Sequence, residues 1–245
     1  MQSSSSRIST LVKQARLTFS SLIICNENQQ EQIESLKRAM NKISKSDLNF
    51  NIFDSVKSNP TMNSIDRINH EKFRNSNAPV FYMKLYEDEI ISVGIFVIKS
   101  NHRIPLHDHP HMFGLIKVLD GQGYLNAYNV LLEKNKNELI CAKHTSTIIT
   151  AQSETAVLYP NQSNIHEIYA VNDQHCAFLD ILSPPYSDEN DCTCYVALPL
   201  SSTSPVTALN NDKIDHERDF ILKRVFDDEY YTESLEYTGP AISSS

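Results

Sequence analysis

Apolar residues recur at helical spacing twice near the start of the chain, and from Val80 onward the pattern shortens to that of β-strands. Between Arg7 and Cys25 the residues Ile8, Leu11, Val12, Ala15, Leu17 and Leu22 fall at helix-like intervals. Between Glu31 and Ile43 the residues Ile33, Leu36, Met40 and Ile43 share one helical face, with Lys and Glu opposite. Two helices packing outside the main core are expected, and Ser46-Asp47 reads as a cap or turn before Leu48. Residues 57 to 79 hold Asn, Ser, Pro60 and Pro79 with little periodicity, which predicts a connector. Val80–Tyr86 and Ile90–Lys99, separated by the acidic turn Glu87-Asp88-Glu89, are rich in the β-branched and aromatic residues of strands. Tyr124–Val130, Glu138–His144, Thr145–Thr150, Ala156–Tyr159, His166–Val171 and Cys176–Leu182 continue the series. Roughly eight to ten short strands at such spacing require an all-β sandwich or barrel. From Ser201 the chain is polar and then acidic, although Phe220, Ile221, Leu222 and Val225 remain able to pack on the barrel.

The stretch Ile104-Pro105-Leu106-His107-Asp108-His109-Pro110-His111-Met112-Phe113-Gly114, running on to an Asp120-Gly121 turn, concentrates histidines between two apolar runs. On a strand successive side chains alternate faces, so His107 and His109 project to one side and Asp108 to the other. Two imidazoles on one face can share a metal. His111 has the same parity, but Pro110 cannot donate to a sheet ladder and marks an edge, bulge or strand end, which leaves His111 outside the ligand set. A third ligand is expected from a later strand facing the first: the polar turn Pro160–Asn164 delivers His166 to the start of a β-run, with His144 and His175 as competitors beside other turns. Inward histidines in a small barrel predict a cupin-like double-stranded β-helix, a jelly-roll barrel preceded by N-terminal helices. The positions where many such barrels add a carboxylate hold Phe113 and Gly114. Three neutral imidazoles leave a divalent iron its full charge and open positions, and zinc accepts the same ligands.

At 245 residues the chain is long enough for one such domain with polar extensions. The expected division is a helical extension over 1–45, its first residues low in complexity, a barrel domain over 46–200, and a C-terminal extension over 201–245. A net charge of −8 argues against a nucleic-acid partner, whose phosphates call for Lys/Arg clusters. No apolar run approaches the roughly 20 residues of a membrane span, and Leu17–Cys25 lacks the pattern of a signal peptide. Five cysteines, an odd number without regular spacing, fit a reducing compartment. A cytoplasmic location, with the nucleus also open, and a monomer are the corresponding expectations.

Several runs together carry a family likeness. Ser92–Val97, Ile104-Pro105-Leu106-His107-Asp108-His109-Pro110, Leu115–Leu119, Asn164-Ile165-His166-Glu167-Ile168, and Phe178-Leu179-Asp180-Ile181-Leu182-Ser183-Pro184-Pro185-Tyr186 followed by Asp191-Cys192 resemble, in order and spacing, the cysteamine (2-aminoethanethiol) dioxygenase and plant cysteine oxidase family of thiol dioxygenases. The likeness runs over residues 36 to 200 and is nearer to the animal enzyme. It implies a non-haem Fe(II) oxidoreductase that adds dioxygen to a thiol to give a sulfinic acid. The substrate would be a small aminothiol such as cysteamine, which gives hypotaurine, or the N-terminal cysteine of a protein, whose oxidation can serve oxygen sensing. Carried over by position, the iron ligands are His107, His109 and His166, and Asp180 matches the acid near the substrate amine. Tyr82 and Tyr86, on one strand, become candidates for the pocket wall, and Tyr86 for a catalytic part. The chain departs from the animal pattern after Cys192, where a tyrosine two residues on can become thioether-linked: here Thr193 and Cys194 intervene and Tyr195 stands one place later, facing the other way on a strand. Competing readings are a zinc or manganese isomerase on the same barrel and a non-catalytic binding module, neither of which requires the Leu-Asp-Ile-Leu-Ser-Pro-Pro-Tyr run.

Overall fold

The computed structural model describes residues 6–24, 28–53, 62–135, 137–187, 191–199, 219–226 and 230–243. Eleven strands appear among them: β1 (Val80–Glu87), β2 (Ser92–Ile98), β3 (Arg103–His107), β4 (Phe113–Asn135), β5 (Glu138–Thr150), β6 (Ala156–Leu158), β7 (Ile165–Ala170), β8 (Cys176–Ser183), β9 (Cys194–Pro199), β10 (Asp219–Val225) and β11 (Thr232–Ser234). β4 belongs to both sheets. Its first half pairs with β8 and β6, in a sheet that continues through β2 and β1 to β11. Its second half pairs with β5 and β7, and the path β4-β5-β10-β9-β3-β7 returns to β4. Two sheets sharing one strand, antiparallel except where β11 joins β1 in parallel, make the barrel a double-stranded β-helix.

The passage between sheets occurs at Asp120-Gly121, where a turn is expected from sequence. The strand instead runs on through these residues, 23 in all from Phe113 to Asn135, with a register shift between Val118 and Asp120. Gly121 has φ of 74°, and a Cβ there would lie 1.8 Å from the His175 carbonyl oxygen, so only glycine fits this bulge. In the same way Glu138–His144 and Thr145–Thr150, read separately, form the single strand β5.

Ile98, Ile104, Ile116, Val118, Leu125, Ile149, Ile168 and Phe178 fill the space between the sheets. Every residue of β8 is buried, because the strand is covered on both faces. Its Phe178 joins the barrel interior, while Ala177, Leu179 and Ile181 face outward onto the helices. Here one expectation is corrected. α1 (Arg7–Ile24) and α2 (Gln29–Met40) do not lie outside the core: Ile8, Leu11, Val12, Phe19, Ile33, Leu36 and Met40 join Val93, Ile95, Val97, Leu179 and Ile181 in one cluster. Each such burial is worth about 1.5–3 kcal/mol, so the helices supply the second half of a core that the first sheet could not close alone. Cys25, at the end of the first helical run, lies outside the described residues.

The connector expected over 57–79 contains α3 (Ser64–Asn75), residues 57–61 lying outside the described set. Asn63 caps it, its side chain accepting the Asp66 N–H at 2.8 Å. Phe73 is its one buried apolar side chain, beside buried Asn69 and His70. Asn69 donates to the Glu236 carbonyl at 2.8 Å and accepts the Glu236 N–H at 3.1 Å. A helix fixed by such polar bonds carries no hydrophobic period to read. The C-terminal segment also contributes: β10 lies between β5 and β9 with Leu222 fully buried, and β11 extends the first sheet beside β1. No helix among the described residues is long and apolar enough to cross a membrane.

Candidate metal centre

A register irregularity in β3 aims the first histidine. Ile104 pairs with Ile168 and His107 with His166, so two residues of β3, Pro105 and Leu106, stand against the single Glu167 of β7. The extra residue resets the alternation. Ile104 and His107 therefore share the interior face, and Leu106 turns outward to Tyr128 and Tyr195. Across the sheet, Ala127 of β4 pairs with His166, His166 with His107, and His107 with Cys194 of β9. Opposed residues of a ladder share a face, so this row presents both imidazoles inward.

His109 arrives by another route than strand alternation, since β3 ends at His107. Asn164, buried beside His166, holds it: its side-chain oxygen accepts the His109 N–H at 2.8 Å and its amide donates to the His109 carbonyl at 2.8 Å. One side chain thus fastens the first histidine segment to the second. Asp108 points away, as expected, accepting the Thr193 N–H at 2.7 Å and the Tyr195 hydroxyl at 2.8 Å. Tyr195 is thereby held on Asp108, and Cys192 is exposed.

The three rings lie with centroids 4.6–5.0 Å apart, and one ligand atom from each falls within 4.8 Å of the others. Two metal–nitrogen bonds of about 2.1 Å at right angles put their nitrogens about 3 Å apart, so movements of about an ångström close the set on one ion. The other ring nitrogens are occupied. Nδ1 of His107 lies 2.8 Å from the Pro105 carbonyl and that of His166 lies 3.1 Å from the Asn164 carbonyl. Nδ1 of His109 lies 2.5 Å from the Tyr186 hydroxyl, which also reaches the Asp108 carbonyl at 3.2 Å. If each Nδ1 carries its proton and donates, Tyr186 accepts from His109 and donates to Asp108, and every Nε2 lone pair is left for a metal. Burial depresses all three basicities, with mutual repulsion adding for His109 and His166; His166 falls to about 3. At neutral pH the cluster is an uncharged donor set suited to a divalent cation.

The facing sheet contributes Asp180. It pairs with Gly94 of β2 and Ile116 of β4, shares the inward parity of Phe178, and is 7% exposed. Burial alone pushes its carboxyl up to about 7, with no hydrogen bond from a described residue to offset the cost. Tyr186 lies within electrostatic reach of both Asp180 and Asp108. Tyr82 lies over Gly94, where a Cβ would stand 2.3 Å from its ring, and packs on Phe96 at 4.8 Å; Asp180 is close enough to help raise its hydroxyl pKa. Tyr86 corrects the sequence expectation. A bulge between Lys84 and Tyr86 sets it opposite Val93, on the helix face, where its hydroxyl donates to Asp88 at 2.8 Å. It walls no part of the histidine site.

Of the competitors, His175 accepts the Ser100 N–H at 2.8 Å between Phe53 and Phe73; His111, expected outside the ligand set, is exposed. The side chain of His144 lies outside the described residues. Asn164 and Tyr186 stand in runs that carry the family likeness, yet no spacing rule assigns them a task. Each acts on a histidine more than fifty positions away.

Two predictions follow from these supports. Tyr186→Phe removes the acceptor for His109 Nδ1 and should weaken metal binding about 10- to 100-fold, read by competition against a chelating dye. Asn164→Ala strands a buried N–H and carbonyl and should cost about 2–4 kcal/mol in urea unfolding.

A double-stranded β-helix is the barrel of the cupins, and its three inward histidines form a donor set that could hold a metal ion. The PCO_ADO family model matches residues 39–242, and the chain belongs to that family. It is 32% identical over 185 residues to the 2-aminoethanethiol dioxygenase of Mus musculus, covering 67% of this chain and 72% of that protein. It is 30% identical over 187 residues to the Homo sapiens enzyme of the same name, covering 67% and 68%. Plant cysteine oxidase 1 of Arabidopsis thaliana is 33% identical over 136 residues, covering 53% of this chain and 45% of that one.

Proposed function

We propose that the protein is an iron(II)-dependent thiol dioxygenase that converts the thiol of cysteamine, or of a polypeptide's N-terminal cysteine, into a sulfinic acid by adding both atoms of dioxygen. One observation carries the reading: a buried carboxyl without a donor among the described residues faces the same interior as three neutral imidazoles. Such an acid asks for a cation, and an aminothiol brings an ammonium within a few bonds of its sulfur. Three imidazoles alone suit zinc as well as iron. The dioxygenase names of the relatives favour iron.

His107, His109 and His166 would hold the ferrous ion, which would supply a Lewis-acidic, redox-active centre for thiol and dioxygen. The remaining work belongs to the chain. Asp180, once ionised, accepts a charge-assisted hydrogen bond from the substrate amine, and the incoming cation draws its pKa down in return. Tyr82, Phe96 and Phe178 form an apolar wall along the same face of the sheet, limiting water around the amine. Tyr186 and Asn164 hold His109 in place. Fixing thiol and amine against one face removes much of the entropic barrier to their reaction. Turnover that follows oxygen supply would let sulfinylated N-termini report oxygen.

The test is anaerobically iron-loaded protein given cysteamine and a peptide with N-terminal cysteine, then exposed to labelled dioxygen. Mass spectrometry should find two labelled oxygen atoms on the product sulfur. Iron bound with no gain on either substrate, or activity that persists without oxygen, overturns the proposal.

A further inference from the structure

An opening of about 680 Å³ lies on the face of the second sheet turned away from the histidines, over β4, β7 and β3. Asn126 pairs there with Glu167, and Tyr169 with Arg103, each one residue out of step with the inward positions Ala127, His166 and Ile104. Glu167 is held from beneath: buried Asn126 donates to its Oε1 at 2.8 Å, and Ser146 donates to Asn126 at 2.9 Å. Its Oε2 receives no hydrogen bond from a described residue. The Arg103 guanidinium stands 3.9 Å away, too far for one, and makes no hydrogen bond with a described residue either. The acid is largely enclosed, its side chain 17% exposed, whereas that of Arg103 is 61% exposed and free to swing onto an incoming group. The opening also reaches the frame of the histidine cluster. Pro105, whose carbonyl lies 2.8 Å from His107 Nδ1, lines it, as does Glu167, the β7 residue that faces the bulge aiming His107.

We infer that this opening binds an α-amino acid with an apolar side chain, and that its occupant steadies the bulge that aims His107. The charges select the head of the ligand. A lone anion gains Arg103 but meets Glu167, and a lone cation meets the reverse, so only a zwitterion satisfies both. An α-amino acid carries its two charged groups on one carbon, as the closeness of Arg103 and Glu167 requires. Its carboxylate takes two parallel bonds from the planar guanidinium, and its ammonium donates to Glu167 Oε2. The volume calls for more than a charged head, since openings of roughly 300–1,000 Å³ hold molecules with a substantial body. Pro79, Pro105, Ala170 and the ring of Tyr169 offer that body an apolar lining. Tyr169 is set in place by stacking on Tyr124, with centroids 5.1 Å apart. An occupant seated on Pro105 and Glu167 touches both strands of the bulge at once, and the ring of His107 hangs from the Pro105 carbonyl.

Calorimetric titration of the metal-free full chain with L-phenylalanine and L-leucine should show, for at least one of them, a single site with Kd below about 1 mM. 3-Phenylpropionate, which lacks the amine, and phenethylamine, which lacks the carboxylate, should each bind about tenfold more weakly or worse, having lost one charged hydrogen bond. Arg103→Gln and Glu167→Gln should each weaken the amino acid by a similar factor. The glutamine at 167 keeps an oxygen for Asn126, so the fold is spared. In competition against a chelating dye, the bound amino acid should tighten ferrous iron by about fivefold or more, an effect absent from Arg103→Gln, and iron should tighten the amino acid by the same factor. No binding by either amino acid, equal binding by the single-charge analogues, affinities unchanged in both variants, or an iron affinity that does not rise would each overturn the inference. None of these readouts depends on thiol oxidation, so the dioxygenase reading stands or falls separately.

Discussion

His166→Ala is expected to fold and yet bind ferrous iron more than about 100-fold more weakly than the wild type, with thiol oxidation lost in proportion. The magnitude is a lower bound, because disturbing only the hydrogen-bond partner of a ligand already costs about 10- to 100-fold. The two imidazoles that remain, His107 and His109, come from one short segment and leave the ion uncovered on the β7 side. The same substitution has a signature in metal-free protein. His166 is buried and its pKa falls to about 3, against an ordinary value of 6.5 in the unfolded chain. Between those values the unfolded state binds the extra proton, so stability rises with pH across the window and is fully present above 6.5. Metal-free wild type should accordingly lose about 2 kcal/mol from this group between pH 7 and pH 5. The alanine variant should lose less, measured by urea unfolding at the two pH values. Equal iron affinity in variant and wild type would remove His166 from the centre.

Asp180→Asn carries the second large effect, and its two consequences have opposite signs. Loss of a charge-assisted hydrogen bond to the substrate amine removes about 1.5–3 kcal/mol, which is roughly a 10- to 100-fold fall in kcat/KM. In the wild type kcat/KM should rise with pH through about 7, where the carboxyl ionises, and the variant should lack that limb. Stability moves the other way. The folded pKa near 7 exceeds the ordinary 3.8, so the folded state keeps a proton that the unfolded state releases, and stability falls as pH rises from 3.8 through 7. At pH 8 that loss approaches about 4 kcal/mol. The asparagine amide recovers it at the cost of burying its own polar atoms, for a net gain of about 1–3 kcal/mol at pH 8. A variant less stable than the wild type there, or one with an unchanged pH limb, would show that Asp180 is satisfied by the protein rather than by substrate.

The class of fold and the pair His107 and His109 were legible in local pattern, whereas His166 stands out from His144 and His175 only with the help of the family likeness. Alternating β-branched and aromatic residues announce strands, and the histidines flanking Asp108 stand out against apolar neighbours. What escaped depends on register and on partners distant in sequence. The bulge between Lys84 and Tyr86 turns Tyr86 to the helices, and nothing in Leu85-Tyr86 signals the added residue. The irregularity between Ile104 and His107 is equally silent, although the aim of His107 depends on it. Alternation along β3 points His109 to the same side as His107, but β3 ends at His107 and the clamp by Asn164 sets the position of His109. Asp120-Gly121 has the composition of a turn and serves as a bulge, because the His175 carbonyl packs where a side chain would stand. α3 stayed hidden because it is held by Asn69 and Glu236 rather than by an apolar stripe.

X-ray absorption at the metal edge of anaerobically iron-loaded protein tests the central claim most directly. The account predicts one ferrous ion per chain with a shell of nitrogen neighbours at about 2.1 Å and the outer-shell scattering of three imidazoles. Fewer than three imidazoles, or the same spectrum after His166→Ala, would contradict it.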